Sequence, residues 1–322
     1  LAKILNVSDF IIGLTIVAAG TSLPELTAAI FAATIKDTGL IIGNVIGSNI
    51  ANIGLVLGIA SIFTVLKIDK RIFEREGLVL FLITILLFIM TLNGTFSWYE
   101  GLLFIVLFMA YLFYLYEYPT VARIIRRDKK KYRFLHFGEV ATARALLRMG
   151  RTFSYDSYRD LFNKKNGVTK KDTLKILVLS LFSLAFLLGS ARLLVTNSSS
   201  LATQLGISSA IVGITIIAIG TSLPELAVAI SAARNNKGTL IIGTILGSNI
   251  YNLLIILGIS GLITPITISA LSLFYAIPVL LLMTVLFLWF IKTNWTLHRR
   301  EGIVLLIIYI LFIAGLGFWL FF

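Results

Sequence analysis

The 322-residue chain has no cysteine and only two histidines, His136 and His298. Disulfides and thiolate metal sites are thereby excluded. Charge is scarce as well: 13% of residues are charged against 58% hydrophobic, with a mean hydropathy of +0.98. A soluble domain is about a quarter charged, so the chain reads as an integral membrane protein. A two-residue apolar–polar alternation is also missing, which excludes a transmembrane β-barrel. What remains is an all-α polytopic membrane protein, with apolar runs long enough to span as helices.

Nine spans are expected, at about 10–34, 39–66, 78–92, 100–116, 174–194, 210–233, 240–262, 270–291 and 303–322. The connections are short except for 118–173. Sixteen of the 28 Lys and Arg residues lie between Glu117 and Lys175, so the net charge of +13 marks membrane topology and contact with anionic lipid. Nucleic-acid binding is not expected, because no separate folded domain carries the charge. With the basic loop placed in the cytoplasm and the spans alternating outward from it, 26 of the 28 positive charges fall inside; only Lys36 and Arg192 fall outside. Within the loop, 139–149 reads as a short helix with Val140, Leu146, Leu147 and Met149 apolar. It is either a segment lying on the lipid surface or a regulatory element, and nothing in it resembles an EF-hand loop.

The segment GTSLPEL occurs twice, at Gly20–Leu26 and Gly220–Leu226, offset by 200 positions. Each copy places a glutamate, Glu25 or Glu225, inside an apolar helix. A carboxylate-like charge at a helix centre costs about 2.5–3.5 kcal/mol on insertion scales. Residues 11–52 align with 211–252 without gaps at 25 identities in 42 positions. On the charge-derived orientation the two copies run through the membrane in opposite directions. That is an inverted-topology repeat, whose substrate site is expected at the midplane between the halves. The organisation expected is 1–117 for the first repeat, 118–173 for the basic cytoplasmic loop and 174–322 for the second repeat. A span at 174–194 precedes the second motif helix and has no counterpart ahead of the first. By symmetry one more N-terminal helix is expected, giving five plus five, with the first missing from this chain.

Ala18, Ser22 and Glu25 share a helix face, and Thr21 lies beside them. Pro24 cannot donate an N–H and clashes with the carbonyl of Gly20, which loosens the turn before it. Freed carbonyls are tolerated at that depth only where they line a cavity or are buried in protein. Ala218, Thr221, Ser222 and Glu225 repeat the pattern. A second motif, GSNIAN at Gly47–Asn52 and GSNIYN at Gly247–Asn252, places Ser48 with Asn52 and Ser248 with Asn252. Gly43, Gly47, Gly243 and Gly247 allow close helix approach. Asn44 and Thr244 differ between the copies, and either role, packing or site, is open to them.

The assembled donor set is all oxygen with two formal negative charges. Calcium takes six to eight oxygens at about 2.3–2.6 Å, sodium is equally oxygen-seeking, and zinc or copper would call for nitrogen or sulfur. Hard cations are the expected cargo. An empty site would carry two uncompensated charges, so reorienting it empty is costly, which favours exchange over uniport. A lone Ser or Thr in a spanning helix usually only packs, but the joint repeat of Glu, Ser, Thr, Pro and Asn does not fit that reading. Arg192, Tyr251, Trp98 and Trp319 read as interfacial anchors.

The paired G-T-S-L-P-E and G-S-N-I-x-N motifs resemble the two alpha repeats of the cation/calcium exchanger superfamily, specifically its sodium/calcium exchanger branch of prokaryotic and archaeal type. The resemblance implies a ten-helix inverted-repeat fold, a calcium position flanked by sodium positions, and electrogenic alternating access with the first and sixth helices sliding as a gate; 174–194 matches the sixth. It implies Glu25 and Glu225 as calcium carboxylates, Thr21 and Thr221 acting through carbonyl oxygen, and Ala18, Ala218, Ser22, Ser222, Ser48 and Ser248 lining sodium positions. Asn52 fits the polar residue of the third helix. Asn252 stands where several prokaryotic and potassium-dependent members carry Asp and animal members carry Asn. That argues against potassium dependence and leaves the site symmetric with Asn52.

The function expected is Na⁺/Ca²⁺ antiport by a monomer in the cell membrane, with no enzymatic activity and no cofactor. The alternative is a calcium/proton exchanger, although that branch typically carries G-N-A-x-E in this place. A cation channel would share the oxygen-lined site but would rarely need an inverted pair of broken helices. An intramembrane protease would need a Ser–His or paired-Asp centre, whereas both histidines fall in cytoplasmic loops and no Asp lies in a span.

Overall fold

The computed structural model describes residues 13–68, 70–127 and 170–320. These fall into two compact units, 1–108 with 187–322 and, separately, 109–186. The second unit holds the distal part of one helix and the beginning of the next. The expected helix at 139–149, His136, and Lys3 lie outside the described residues.

Each expected span falls on a helix or a bent helix pair. In chain order these are α1 (Gly13–Thr21) with α2 (Leu23–Thr34), α3 (Thr38–Phe63), α4 (Lys70–Thr91), α5 (Trp98–Arg127), α6 (Lys170–Leu205), α7 (Ser209–Thr221) with α8 (Leu223–Arg234), α9 (Gly238–Ile263), α10 (Ser272–Thr293) and α11 (Arg299–Leu316). By length and composition, four of the described helices can cross a membrane, or six if each bent pair counts as one span. Two-residue strands β1 (Leu66–Lys67), β2 (Thr95–Phe96), β3 (Ile266–Thr267) and β4 (Thr296–Leu297) connect them. Among the described residues, α6 has no counterpart in the first half.

From α1 to α3 and from α7 to α9 the repeat is reproduced at the 200-residue offset, whereas the π turn Ser272–Ala276 that opens α10 has no counterpart in α4. The chain bends by 47° between α1 and α2 and by 41° between α7 and α8. The cause is local. Pro24 and Pro224 sit in the first turn of α2 and α8, and the residue ahead of each helix leaves helical geometry, with Ser22 at φ −85°, ψ 8° and Ser222 at φ −82°, ψ 1°. Five-residue π turns occur at Gly13–Val17 and Gly213–Ile217, and again at Asn52–Val56 and Asn252–Ile256. Such turns insert an extra residue into the helix and are frequent at functional sites.

The two halves interlock through glycine. Helix α3 packs on α7, and α9 packs on α1. A Cβ on Gly43 would lie 2.6 Å from the Ala210 carbonyl, and one on Gly13 would lie 2.6 Å from the Leu240 carbonyl. Helices α3 and α9 are the most enclosed, while α5 and α10 present outward faces carrying Val106, Met109, Leu282 and Trp289. Such faces suit contact with lipid tails.

The ends of the helices are clipped in pairs. Strand β1 pairs antiparallel with β4, and β2 with β3. Asp37 caps α3 by accepting from the Leu40 N–H at 3.1 Å, and its other oxygen accepts from Ser199 of α6 at 2.9 Å. Thr38 meets Thr267 at 3.1 Å, and Thr64 donates to Asn236 at 3.4 Å.

Candidate cation site between the two repeats

The bends bring the N-terminal turns of α2 and α8 towards each other at the centre of the first unit. Glu25 stands in the first turn of α2 and Glu225 in the first turn of α8, where unpaired backbone N–H groups favour negative charge. Both side chains are completely buried, at 0% exposure. No Lys or Arg forms an ion pair with either of them among the described residues; Lys70–Glu74 and Arg75–Glu76 pair elsewhere, on α4.

The halves meet through hydroxyl–carboxylate contacts that cross the repeat. Ser22 donates to Glu225 Oε1 at 3.2 Å, and Ser222 donates to Glu25 Oε1 at 3.5 Å. Ser248 adds a second donor to Glu225 Oε1 at 3.2 Å. Each glutamate keeps its Oε2 buried without a hydrogen-bond partner. Orphaned oxygens at such depth are costly unless a ligand takes them up.

All twelve residues singled out in the sequence are buried: Ala18, Thr21, Ser22, Glu25, Ser48, Asn52, Ala218, Thr221, Ser222, Glu225, Ser248 and Asn252. Direct hydrogen bonds join Ser22, Ser222 and Ser248 to the carboxylates, and Ser48 to Thr221 at 3.4 Å. The Thr21 hydroxyl turns back to the Val17 and Ala18 carbonyls at 3.0 and 3.3 Å. Thr221 does the same with Ile217 and Ala218, at 2.9 and 3.4 Å. The Ala18 and Ala218 carbonyls also accept the Ser22 and Ser222 N–H groups. A cation at either carbonyl therefore competes with both donors. Asn252 makes no hydrogen bond through Oδ1 or Nδ2, while Asn52 donates to Asn249 Oδ1 at 3.0 Å and leaves its own Oδ1 unpaired.

Three further residues belong to this polar layer. Asn249 accepts from Asn52 and donates to the Asn49 carbonyl at 3.5 Å, and Asn49 keeps an unpaired, buried Oδ1. Both stand inside the repeated GSNI motif, so their recurrence was the available signal. Asn44 joins Glu25 to Thr221; its counterpart is Thr244, so the repeat gave no signal for it. Among the described residues no three of His, Cys, Asp and Glu gather in one place. Any further donors to a cation here must be hydroxyl, amide or carbonyl oxygens, a set suited to hard ions.

Comparison with known proteins places this geometry. Residues 1–117 and 175–318 match the family described as sodium/calcium exchanger protein. The chain is 38% identical to the sodium/calcium exchanger MaX1 of Methanosarcina acetivorans, covering 98% of this chain and 91% of that protein. It is 32% identical to the membrane protein MJ0091 of Methanocaldococcus jannaschii, over 98% of this chain and 89% of that one. Its fold superimposes on the sodium-calcium exchanger NCX_Mj, in crystals soaked with zero Na⁺ and Ca²⁺, with a TM-score of 0.65 at 30% identity, covering 98% of this chain and 89% of the other. The resemblance carried by the two motifs thus extends through the fold, and the chain belongs to the sodium/calcium exchanger family.

Proposed function

We propose that this protein is a secondary active antiporter that exchanges Na⁺ for Ca²⁺ by alternating access. The observation that carries the proposal is the central pair: two fully buried glutamates, each bonded at one oxygen by a serine of the opposite half and unpartnered at the other. Two carboxylates balance one Ca²⁺. Emptying the site leaves two charges in a low-dielectric interior, where an unpaired charge is strongly disfavoured. The protein therefore crosses between its two orientations only when loaded, which makes transport an exchange. Na⁺ and Ca²⁺ compete for overlapping oxygens.

In this reading Glu25 and Glu225 hold Ca²⁺, with Thr21 and Thr221 contributing carbonyl oxygen. Ser22, Ser222, Ser48, Ser248 and the Ala18 and Ala218 carbonyls line flanking sodium positions, and Asn52 and Asn252 supply amide oxygens. MaX1 and NCX_Mj bear the names of exchangers, which supports reading the chain as a transporter that needs no cofactor and performs no enzymatic chemistry. Repeats at 1–117 and 174–322 flank a basic cytoplasmic connection at 118–173 that contacts anionic lipid, although α5 continues into it as far as Arg127 and α6 begins within it at Lys170, and the protein works as a monomer in the cell membrane. The pairing of β1 with β4, and separately of β2 with β3, suits the sidedness inferred from Lys and Arg, because it joins only connections assigned to the same face.

Reconstitution tests the coupling ion. In proteoliposomes, ⁴⁵Ca²⁺ uptake is expected when the vesicles are loaded with Na⁺ to give an outward Na⁺ gradient, and not when Na⁺-free vesicles carry an outward H⁺ gradient. Uptake driven only by H⁺ would replace Na⁺ with the proton as the coupling ion. A second test uses Asn252→Asp. A third carboxylate at this buried position gives protons another group to compete for, so Ca²⁺ uptake should fall more steeply as pH is lowered. An unchanged pH profile would remove Asn252 from the site.

A further inference from the structure

The two glutamates are held by different means, although the repeat presents them as equivalents. Asn44 of α3 is buried. Its Nδ2 donates to the backbone carbonyl of Glu25 at 3.0 Å, and its Oδ1 accepts from the Thr221 hydroxyl at 3.3 Å. One amide therefore touches three helices, since α3 carries it while α2 and α7 receive it. Its orientation follows from chemistry: a carbonyl can only accept, so the NH₂ must face Glu25. Thr221 has a single proton, shared with its own Ile217 carbonyl at 2.9 Å, and the neighbouring Ser48 hydroxyl lies 3.4 Å away.

The other half has no such clamp. Thr244 occupies the matching position, and its hydroxyl is spent on its own helix, donating to the Leu240 carbonyl at 2.9 Å. Thr21, the counterpart of Thr221, hydrogen-bonds the Val17 and Ala18 carbonyls of its own helix. Glu225 is instead gripped at its carboxylate, by Ser22 and Ser248 at 3.2 Å each, whereas the Glu25 carboxylate receives one hydroxyl at 3.5 Å. Glu25 is thus fixed through its backbone and is lightly held at its carboxylate. Glu225 is fixed at its carboxylate.

We infer that Asn44 is a positioning residue for cation binding: it ties the first turn of α2 to α7 across the repeat, so that Glu25 and Thr221 meet the ion as one preformed edge. This inference rests on the exchange reading above and adds the residue that holds the Glu25 turn in register with α7. Preforming one edge lowers the ordering cost of binding. Losing the clamp therefore raises the Ca²⁺ concentration needed for half-maximal exchange and leaves the maximal rate nearly unchanged.

The test is Asn44→Thr, which installs the residue the second half already carries at this place. In Na⁺-loaded proteoliposomes the KM for Ca²⁺ is expected to rise about five- to tenfold, the order expected for one buried hydrogen bond, with the maximal rate within about twofold of wild type. Adding Thr244→Asn, which moves the clamp to the other half, is expected to recover most of the affinity. An unchanged KM in Asn44→Thr overturns the inference. A fall in maximal rate at constant KM, with a lower melting temperature, also overturns it, since that pattern marks packing alone. Should Asn44→Thr fail to insert, Asn44→Ser, which is too short to reach both partners, gives the same reading. Absence of Na⁺-driven uptake in the wild-type protein would strike the exchange reading, whereas wild-type KM in the variants strikes this inference alone.

Discussion

Glu25→Gln and Glu225→Gln are each expected to abolish Ca²⁺ exchange while leaving a folded, membrane-inserted protein. Glutamine keeps the shape and one carbonyl oxygen but removes one of the two charges that balance the divalent ion. Removing one partner of a buried charge interaction costs about 3–5 kcal/mol, and each 1.4 kcal/mol is about tenfold in affinity. Ca²⁺ affinity should therefore fall by at least about two orders of magnitude in either variant. The fold should not suffer, because Ser22, Ser222 and Ser248 can still donate to the remaining amide oxygen, and a costly buried charge is gone. The measurements are Na⁺-driven ⁴⁵Ca²⁺ uptake and the melting temperature of the purified protein. Flux at the wild-type level in either variant would remove the central claim; loss of flux with a large drop in melting temperature would assign the glutamates to the fold.

The second large effect concerns glycines, and the structure divides them sharply. A Cβ on Gly247 would collide with the Leu14 carbonyl and stand 2.8 Å from Ala18 Cβ, and one on Gly47 would stand 2.7 Å from Ala218 Cβ and 2.8 Å from the Ile214 carbonyl. Backbone cannot yield as a side-chain tip does, so α9 must move off α1, or α3 off α7. Overpacking of this kind costs about 1–3 kcal/mol. The displacement also carries Ser248, the next residue, away from Glu225. Gly247→Ala and Gly47→Ala are therefore expected to lower the melting temperature and to cut Ca²⁺ exchange together. Gly20 and Gly220 are invariant between the two motif copies, yet a Cβ on either meets nothing within 4 Å. Gly20→Ala and Gly220→Ala should melt like the wild type. A wild-type melting temperature for Gly247→Ala would show that the helices at this crossing are not closely packed.

Much of this arrangement was legible in the chain. GTSLPEL at Gly20 and Gly220 located the two carboxylates, and Pro24 and Pro224 located the bends, because the missing N–H of proline is a local property. The nine apolar runs marked the helices but not their ends. Helix α4 begins at Lys70 and α6 runs from Lys170 to Leu205, well beyond their apolar stretches. A polar helix end loses no backbone hydrogen bonds, and Lys70 even pairs with Glu74 one turn on, so apolarity stops where the helix does not. The π turns starting at Asn52 and Asn252 were not legible, because an apolar run reads the same whether one turn closes i→i+4 or i→i+5 hydrogen bonds.

The repeat itself also concealed something. Matching 11–52 to 211–252 makes Glu25 and Glu225 equivalent and leaves the role of Asn44 opposite Thr244 open. Which serine reaches which carboxylate, and which glutamate is clamped through its backbone, depends on partners 19 to 203 residues apart. Those partners meet only because glycines let α3 cross α7 and α9 cross α1 at backbone contact. A local pattern can say that oxygen-bearing side chains lie on one helix face. Only the crossing of the helices decides that Ser22 serves Glu225, that Ser222 serves Glu25, and that Glu25 is tied through its backbone carbonyl while Glu225 is held at its carboxylate.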